Sequence, residues 1–153
     1  MRVFLLVFWI VLCQAVGLLG ARWTAPAIPA WYRGLRKPPF NPPPWVFGPV
    51  WTLLYLLMAI AAWRISVSQS PLRTAALALF VAQLALNLLW PWLFFRLRNF
   101  GAALAELAAL WVTIAAAIGV FSQIDTPAAW LMAPYLAWVT FATLLNASIR
   151  SLN

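Results

Sequence analysis

The chain has 153 residues, of which 66% are apolar and 8% charged, with a mean hydropathy of +0.93. That is far too little polar surface for a water-soluble globule of this size, so the chain belongs in a bilayer. Its net charge of +8 comes from basic residues standing singly between apolar runs rather than in a stripe, which argues against nucleic acid and makes them topology signals.

Five apolar segments follow in order, each near the ~20 residues needed to cross ~30 Å of hydrocarbon. They predict a single all-α domain over residues 1–153, a bundle of five transmembrane helices at about 3–21, 45–65, 72–95, 100–121 and 128–149. The first run is longer than the ~7–15-residue core of a signal peptide, which favours a retained helix. Residues 22–44 form a long connection for a compact bundle and make a candidate lid. Within it, five prolines between Pro38 and Pro44 fix φ and remove N–H donors, so this part reads as stiff, extended chain. Closure is expected to pivot before Lys37, in the glycine-containing stretch from Arg22 to Arg36.

Pro49 falls in the first turn of the second helix, where a missing donor costs nothing, and Pro127 suits the opening of the fifth. Pro91 and Pro134 lie inside helices three and five and predict a kink or freed carbonyls. Counting charge by side gives Arg22, Arg33, Arg36, Lys37, Arg96, Arg98 and Arg150 on one face against Arg2, Arg64 and Arg73 on the other. The positive-inside rule then places the lid and C-terminus in the cytoplasm and the N-terminus outside.

Several aromatic and polar residues thereby fall at one depth. Trp45, Trp51 and Tyr55 line the junction of loop and second helix, with Trp51 and Tyr55 one turn apart on a shared face. Gln83, Asn87 and Trp90 are spaced i, i+4, i+7 on helix three, and Trp138, Ala142, Leu145 and Asn146 share a face of helix five. Trp63, Trp92 and Trp130 suit the interfacial aromatic belt, whereas the deeper indoles of Trp51 and Trp138 suit a pocket wall or the bundle interior. Asn87 and Gln83 fit a ligand role or interhelical bonding equally well. Glu106, the one acid well inside a helix, is a functional candidate or a tether to a basic loop residue.

The absences narrow the chemistry. With no histidine, a single cysteine (Cys13) and only Glu106 and Asp125 as acids, no ordinary metal site, catalytic triad or paired-carboxylate machinery can be assembled. A glycine-rich phosphate loop is likewise missing, so nucleotide-driven transport is excluded. No cofactor is expected, and conventional catalysis is not.

The stretches KPPFNPPPWVFGPVWTLLY from Lys37, AQLALNLLWPWLFF from Ala82 and PYLAWVTFATLLN from Pro134, with the closing Ser151-Leu152-Asn153, resemble the translocator protein family. Its members are also called tryptophan-rich sensory proteins (TspO/MBR) or peripheral-type benzodiazepine receptors. The resemblance covers all five segments. It implies a five-helix bundle, often dimeric, that binds porphyrins such as protoporphyrin IX, sterols and benzodiazepine- or isoquinoline-type ligands under the first loop. Carried onto this sequence, the family's pocket involves Trp51, Asn87, Trp90, Tyr135, Trp138, Phe141, Ala142 and Leu145, with Trp31, Tyr32, Pro42 and Trp45 from or beside the lid. The family's sterol-recognition segment has a tyrosine after the asparagine matching Asn146; here Ala147 replaces it and Arg150 is offset, a departure from that motif.

A flat apolar macrocycle suits indole walls, and lid arginines or Lys37 suit its propionates, so a tetrapyrrole is the expected ligand. Without histidine, haem iron would be poorly ligated, which favours a metal-free porphyrin. The function classes are a receptor or sensor, a transporter, and an enzyme-like, light- and oxygen-dependent porphyrin degrader using Trp51 and Trp138. A homodimer is expected through a small-residue face of helix three (Ala75, Ala78, Ala82, Ala85), with helix four (Ala105, Ala109, Ala115, Gly119) as rival. The expected location is a bacterial inner membrane, or the mitochondrial outer membrane in a eukaryote.

Overall fold

A computed structural model describes residues 1–153, and all of its regular structure is helical. Five long helices, α1 (Arg2–Ala30), α2 (Phe47–Ser66), α3 (Arg73–Pro91), α4 (Phe100–Ser122) and α5 (Thr126–Leu152), account for the five apolar runs. Each belongs to a stretch long and apolar enough to cross a bilayer, where only a helix satisfies every backbone group within one segment. Neighbouring helices close a ring in the order α1, α2, α5, α4, α3 and back to α1. Its centre is filled by Cys13, Met58, Phe80, Ile114 and Met132, all fully buried, one from each helix. Alanines at 59, 61, 62, 76, 117 and 128 are also sealed inside and allow the backbones to approach closely.

The first helix departs from expectation. It runs nine residues past Ala21, through Pro26 and Pro29, so Arg22–Ala30 is helix and the connection to α2 begins only at Trp31. Each proline forfeits one helical bond, to the carbonyls of Arg22 and Ala25, and both of those residues are exposed, so water can take the freed acceptors. At 29 residues α1 is about 43 Å long, which carries its last turns past ~30 Å of hydrocarbon. The pivot expected between Arg22 and Arg36 is therefore reduced to the short stretch after Ala30.

From Arg36 to Pro43 the chain is non-helical, with a turn in which the Asn41 N–H donates to the Pro38 carbonyl at 3.1 Å. A 3₁₀ turn, Pro44–Val46, then leads into α2, and Pro49 sits in its first turn. Pro91 ends α3 and opens a π turn over Trp92–Arg96, closed by the Leu97 N–H on the Trp92 carbonyl at 2.9 Å. The extra residue per turn brings two consecutive side chains, Phe94 and Phe95, to the inside.

The opposite end of the bundle is tied by charge. Asp125 caps α5 by accepting from the Ala128 N–H at 3.3 Å and pairs with the guanidinium of Arg64 at the end of α2. The arginine beside it holds the Asp125 carboxyl below its ordinary value. A depressed folded pKa contributes stability above the unfolded pKa and loses it as pH falls through the folded one. Asp125→Asn keeps a capping oxygen and removes only the half-exposed pair, so it is expected to cost up to about 1 kcal/mol near neutrality. Thermal midpoints of the two proteins should converge as the pH drops below about 4.

Candidate functional site

At the other end of the bundle the ring is not filled. A cavity of about 330 Å³ is walled by the latter half of α1, the start of α2, the end of α3 with its π turn, and the last turns of α5. Its size is in the range of small-molecule sites. None of its lining residues carries a charge.

The floor is a hydrogen-bonded chain across three helices. The Tyr55 hydroxyl donates to Asn87 Oδ1 at 2.8 Å, and Asn87 Nδ2 donates to the Tyr135 hydroxyl at 2.6 Å. All three residues are buried, Tyr135 completely, so each polar group satisfies another that would otherwise be stranded. Above this floor stands Trp51, its ring 5.7 Å from Tyr55 and 6.3 Å from both Tyr135 and Trp138, perpendicular to the latter. Phe141 continues the wall 5.4 Å beyond Trp138. On the far side Trp90 stacks on Phe94 at 4.9 Å and donates to Asn146 Oδ1 at 3.1 Å, while Asn146 Nδ2 donates to the Phe100 carbonyl at 3.0 Å.

The amides at 87 and 146 are thus already engaged in joining helices. The indole N–H groups of Trp51 and Trp138 are different: both residues line the cavity, and neither N–H donates to any group of the protein.

Tyr32 roofs the cavity. It is buried, donates to Asn41 Oδ1 at 2.8 Å, and carries the Lys37 ammonium 4.8 Å from its ring centre. Burial raises the phenol to about 12 despite the hydrogen bond to Asn41, so it stays a neutral donor. The roof is latched from α5: the Arg36 N–H donates to Asn153 Oδ1 at 3.2 Å, and Asn153 Nδ2 returns a bond to the Arg36 carbonyl at 2.8 Å.

Of the residues singled out in the sequence, Tyr32, Trp51, Asn87, Trp90, Trp138, Phe141, Ala142 and Leu145 line this space. Tyr135 lies beneath it as support. Trp31, Pro42 and Trp45 do not border it. Trp31 turns away to stack on Phe100 at 5.6 Å, under the Arg98 guanidinium. Trp45 is 74% exposed because α2 starts two residues later, at Phe47, which makes Phe47, Trp51 and Tyr55 the i, i+4, i+8 series on the cavity face. Gln83 is deeper, its amide against Met58 Sδ at 3.8 Å, and Glu106 is buried in α4 with neither oxygen hydrogen-bonded. The small-residue faces of both α3 (Ala75, Ala78, Ala82, Ala85) and α4 (Ala105, Ala109, Gly119) are exposed, so geometry within one chain does not choose between them.

The α1 wall, built from Gln14, Gly17, Ala21 and Thr24 among others, was not anticipated. Its signal is present in the sequence: the polar Gln14 is followed at steps of three by Gly17 and Gly20 on a largely apolar helix, a pattern of close approach. A Cβ at Gly17 would lie 2.8 Å from the Tyr55 ring, and one at Gly20 would lie 3.2 Å from Pro91.

The comparisons agree with this architecture. The sequence model of the TspO/MBR family matches residues 9–152. A tryptophan-rich sensory protein of Cereibacter sphaeroides is 46% identical over 80% of this chain and 77% of its own length. The tryptophan-rich protein TspO of Archaeoglobus fulgidus is 40% identical over 100% of this chain and 99% of its own. The translocator protein of Bos taurus is 41% identical over 85% and 79%. With five apolar helices and a match running from Trp9 to Leu152, the chain is a multi-pass integral membrane protein and belongs to the TspO/MBR family.

Proposed function

We propose that the cavity binds a flat, apolar tetrapyrrole of the protoporphyrin IX type, and that the protein acts as a membrane receptor or sensor, or as a transporter, for it. The observation that carries this reading is the pair of perpendicular indoles, Trp51 and Trp138, in the wall of an uncharged aromatic space, with neither N–H paired inside the protein. A macrocycle gains stacking area there, while its propionates reach the exposed Arg33 and Arg36 and half-exposed Lys37 at the roof. Loop 31–46 serves as the lid, on the cytoplasmic side by the seven-to-three excess of basic residues. The location is a bacterial inner membrane, and the protein works as a homodimer through the exposed α3 face. Sterols and neutral drug-like ligands of the benzodiazepine or isoquinoline type fit the same apolar chemistry.

Titrating protoporphyrin IX into the purified protein while following tryptophan fluorescence is the direct test, with saturable quenching expected. Absence of quenching overturns the reading. The closeness of Trp51 and Trp138 supports a second reading, light- and oxygen-dependent porphyrin degradation using those two indoles. Light-dependent product formation selects degradation, vectorial flux into liposomes selects transport, and binding with neither selects sensing.

A further inference from the structure

The walls of the cavity are not equally tight. Between α2 and α5 the seam is filled by Phe47 against Trp138 at 6.1 Å, and the loop lays Phe40 on Phe141 of α5 at 6.0 Å. Between α1 and α3 it is closed by Gly20 lying against Pro91. The roof is bolted by Tyr32 on Asn41 and by Asn153 on Arg36. The seam between α1 and α2 is different. Leu18 and Ala21 from α1, and Gly48 and Thr52 from α2, all line the cavity and are all exposed, so nothing in the protein covers this seam.

The opening lies in stretches of α1 and α2 that are each long and apolar enough to cross a bilayer, close to the end where α1 emerges from the hydrocarbon, which puts it at the level of the lipid headgroups. Its edges carry no charge, and Ala21 and Gly48 leave it open. A Cβ added at Gly48 would meet nothing within 4 Å, and the Thr52 hydroxyl is turned back onto its own helix, donating to the Gly48 carbonyl at 2.8 Å. Deeper in the membrane the same seam is stitched shut, by Gln14 Nε2 donating to the Thr52 carbonyl at 3.2 Å and by Gly17 against the Tyr55 ring. The result is a slot, open near the headgroups and closed towards the bilayer centre.

We propose that the cavity loads sideways from the lipid phase through the α1–α2 slot, and that its occupant is a membrane-dissolved flat amphiphile. The apolar body enters edge-on between Ala21 and Gly48. Its charged groups stay at headgroup level, beside the basic residues at this end of the bundle, and never cross the uncharged interior. This rests on the porphyrin-binding reading and adds the route and the physical state of the ligand.

The test uses the full chain in phosphatidylcholine vesicles. One probe is protoporphyrin IX; the other is a porphyrin joined covalently to a phospholipid, which stays in the membrane. Tryptophan quenching by the lipid-joined porphyrin is expected in the wild type, because a side entrance accepts a ligand that never leaves the bilayer. Gly48→Phe, which places a ring in the slot, should slow association of protoporphyrin IX about tenfold. Quenching by free protoporphyrin IX but not by the lipid-joined form overturns the side entrance and leaves porphyrin binding standing. So does a wild-type rate in Gly48→Phe together with faster association in Asn153→Ala, whose roof is unlatched. If Gly48→Phe does not fold, the lipid-joined probe on the wild type decides alone. Failure of both probes to quench the wild type overturns the porphyrin reading itself.

Discussion

Replacing Asn87 with leucine should destabilise the bundle by about 2–4 kcal/mol, the largest stability loss expected from any single cavity residue. The amide is the centre of a chain in which Oδ1 accepts a hydrogen bond from the Tyr55 hydroxyl and Nδ2 donates one to the Tyr135 oxygen. Leucine fills a similar volume but strands two phenols at once. Tyr55 borders the cavity and can recruit water, whereas Tyr135 is fully enclosed and cannot, so most of the penalty falls on Tyr135. Interhelical hydrogen bonds in membranes contribute only about 0.6 kcal/mol each on average, so most of the expected loss comes from stranding the two phenols rather than from the bonds themselves. Unfolding midpoints in detergent measure the loss. Adding Tyr135→Phe to Asn87→Leu should recover part of it, since the stranded hydroxyl is then gone; no recovery would place the cost in packing instead.

Trp51→Ala and Trp138→Ala should each weaken protoporphyrin IX binding by about 1 kcal/mol or more, through lost stacking and contact area. Trp63→Ala should leave it unchanged, because Trp63 sits near the opposite end of α2 and donates its N–H to the Arg2 carbonyl at 2.8 Å, away from the cavity. Equal losses at all three positions would mean that the indoles act as a general interfacial belt. Trp51→Phe and Trp138→Phe separate two contributions: an aromatic face remains, but the unpaired N–H is removed. Binding retained by phenylalanine assigns the effect to stacking, and binding lost assigns it to the donors.

Five spans were legible because a bilayer leaves the backbone few options, and a run of about twenty apolar residues without charge has no competing structure in lipid. The series on α3 and α5 were legible for the same reason: helical periodicity brings Asn87 and Trp90, or Trp138, Ala142 and Leu145, onto one face wherever the helix points. Boundaries set by proline were harder to read. Pro26 and Pro29 signal loop in sequence, yet they ride inside α1, where the residues whose carbonyls they abandon, Arg22 and Ala25, are exposed. For a related reason Trp45 does not border the cavity: a 3₁₀ turn precedes α2 and shifts the helical register to Phe47. The α1 wall is not legible from apolar periodicity because its contribution is the absence of side chains at Gly17 and Gly20.

The bond pair between Asn153 and Arg36 has a mechanical consequence. Asn153 ends the same helix that carries Trp138, Phe141 and Leu145, and its amide also donates to the Ile149 carbonyl at 2.8 Å, so it follows that helix rigidly. A rotation or slide of α5 therefore drags Arg36 along with it. Whatever presses on the inner wall is felt on the outer surface, where the exposed guanidinium of Arg36 meets solvent and anything dissolved there. The bundle thus contains a lever arm about 40 Å long, 27 residues of α5, with the cavity against one side of its last turns and a positive charge hitched to its tip.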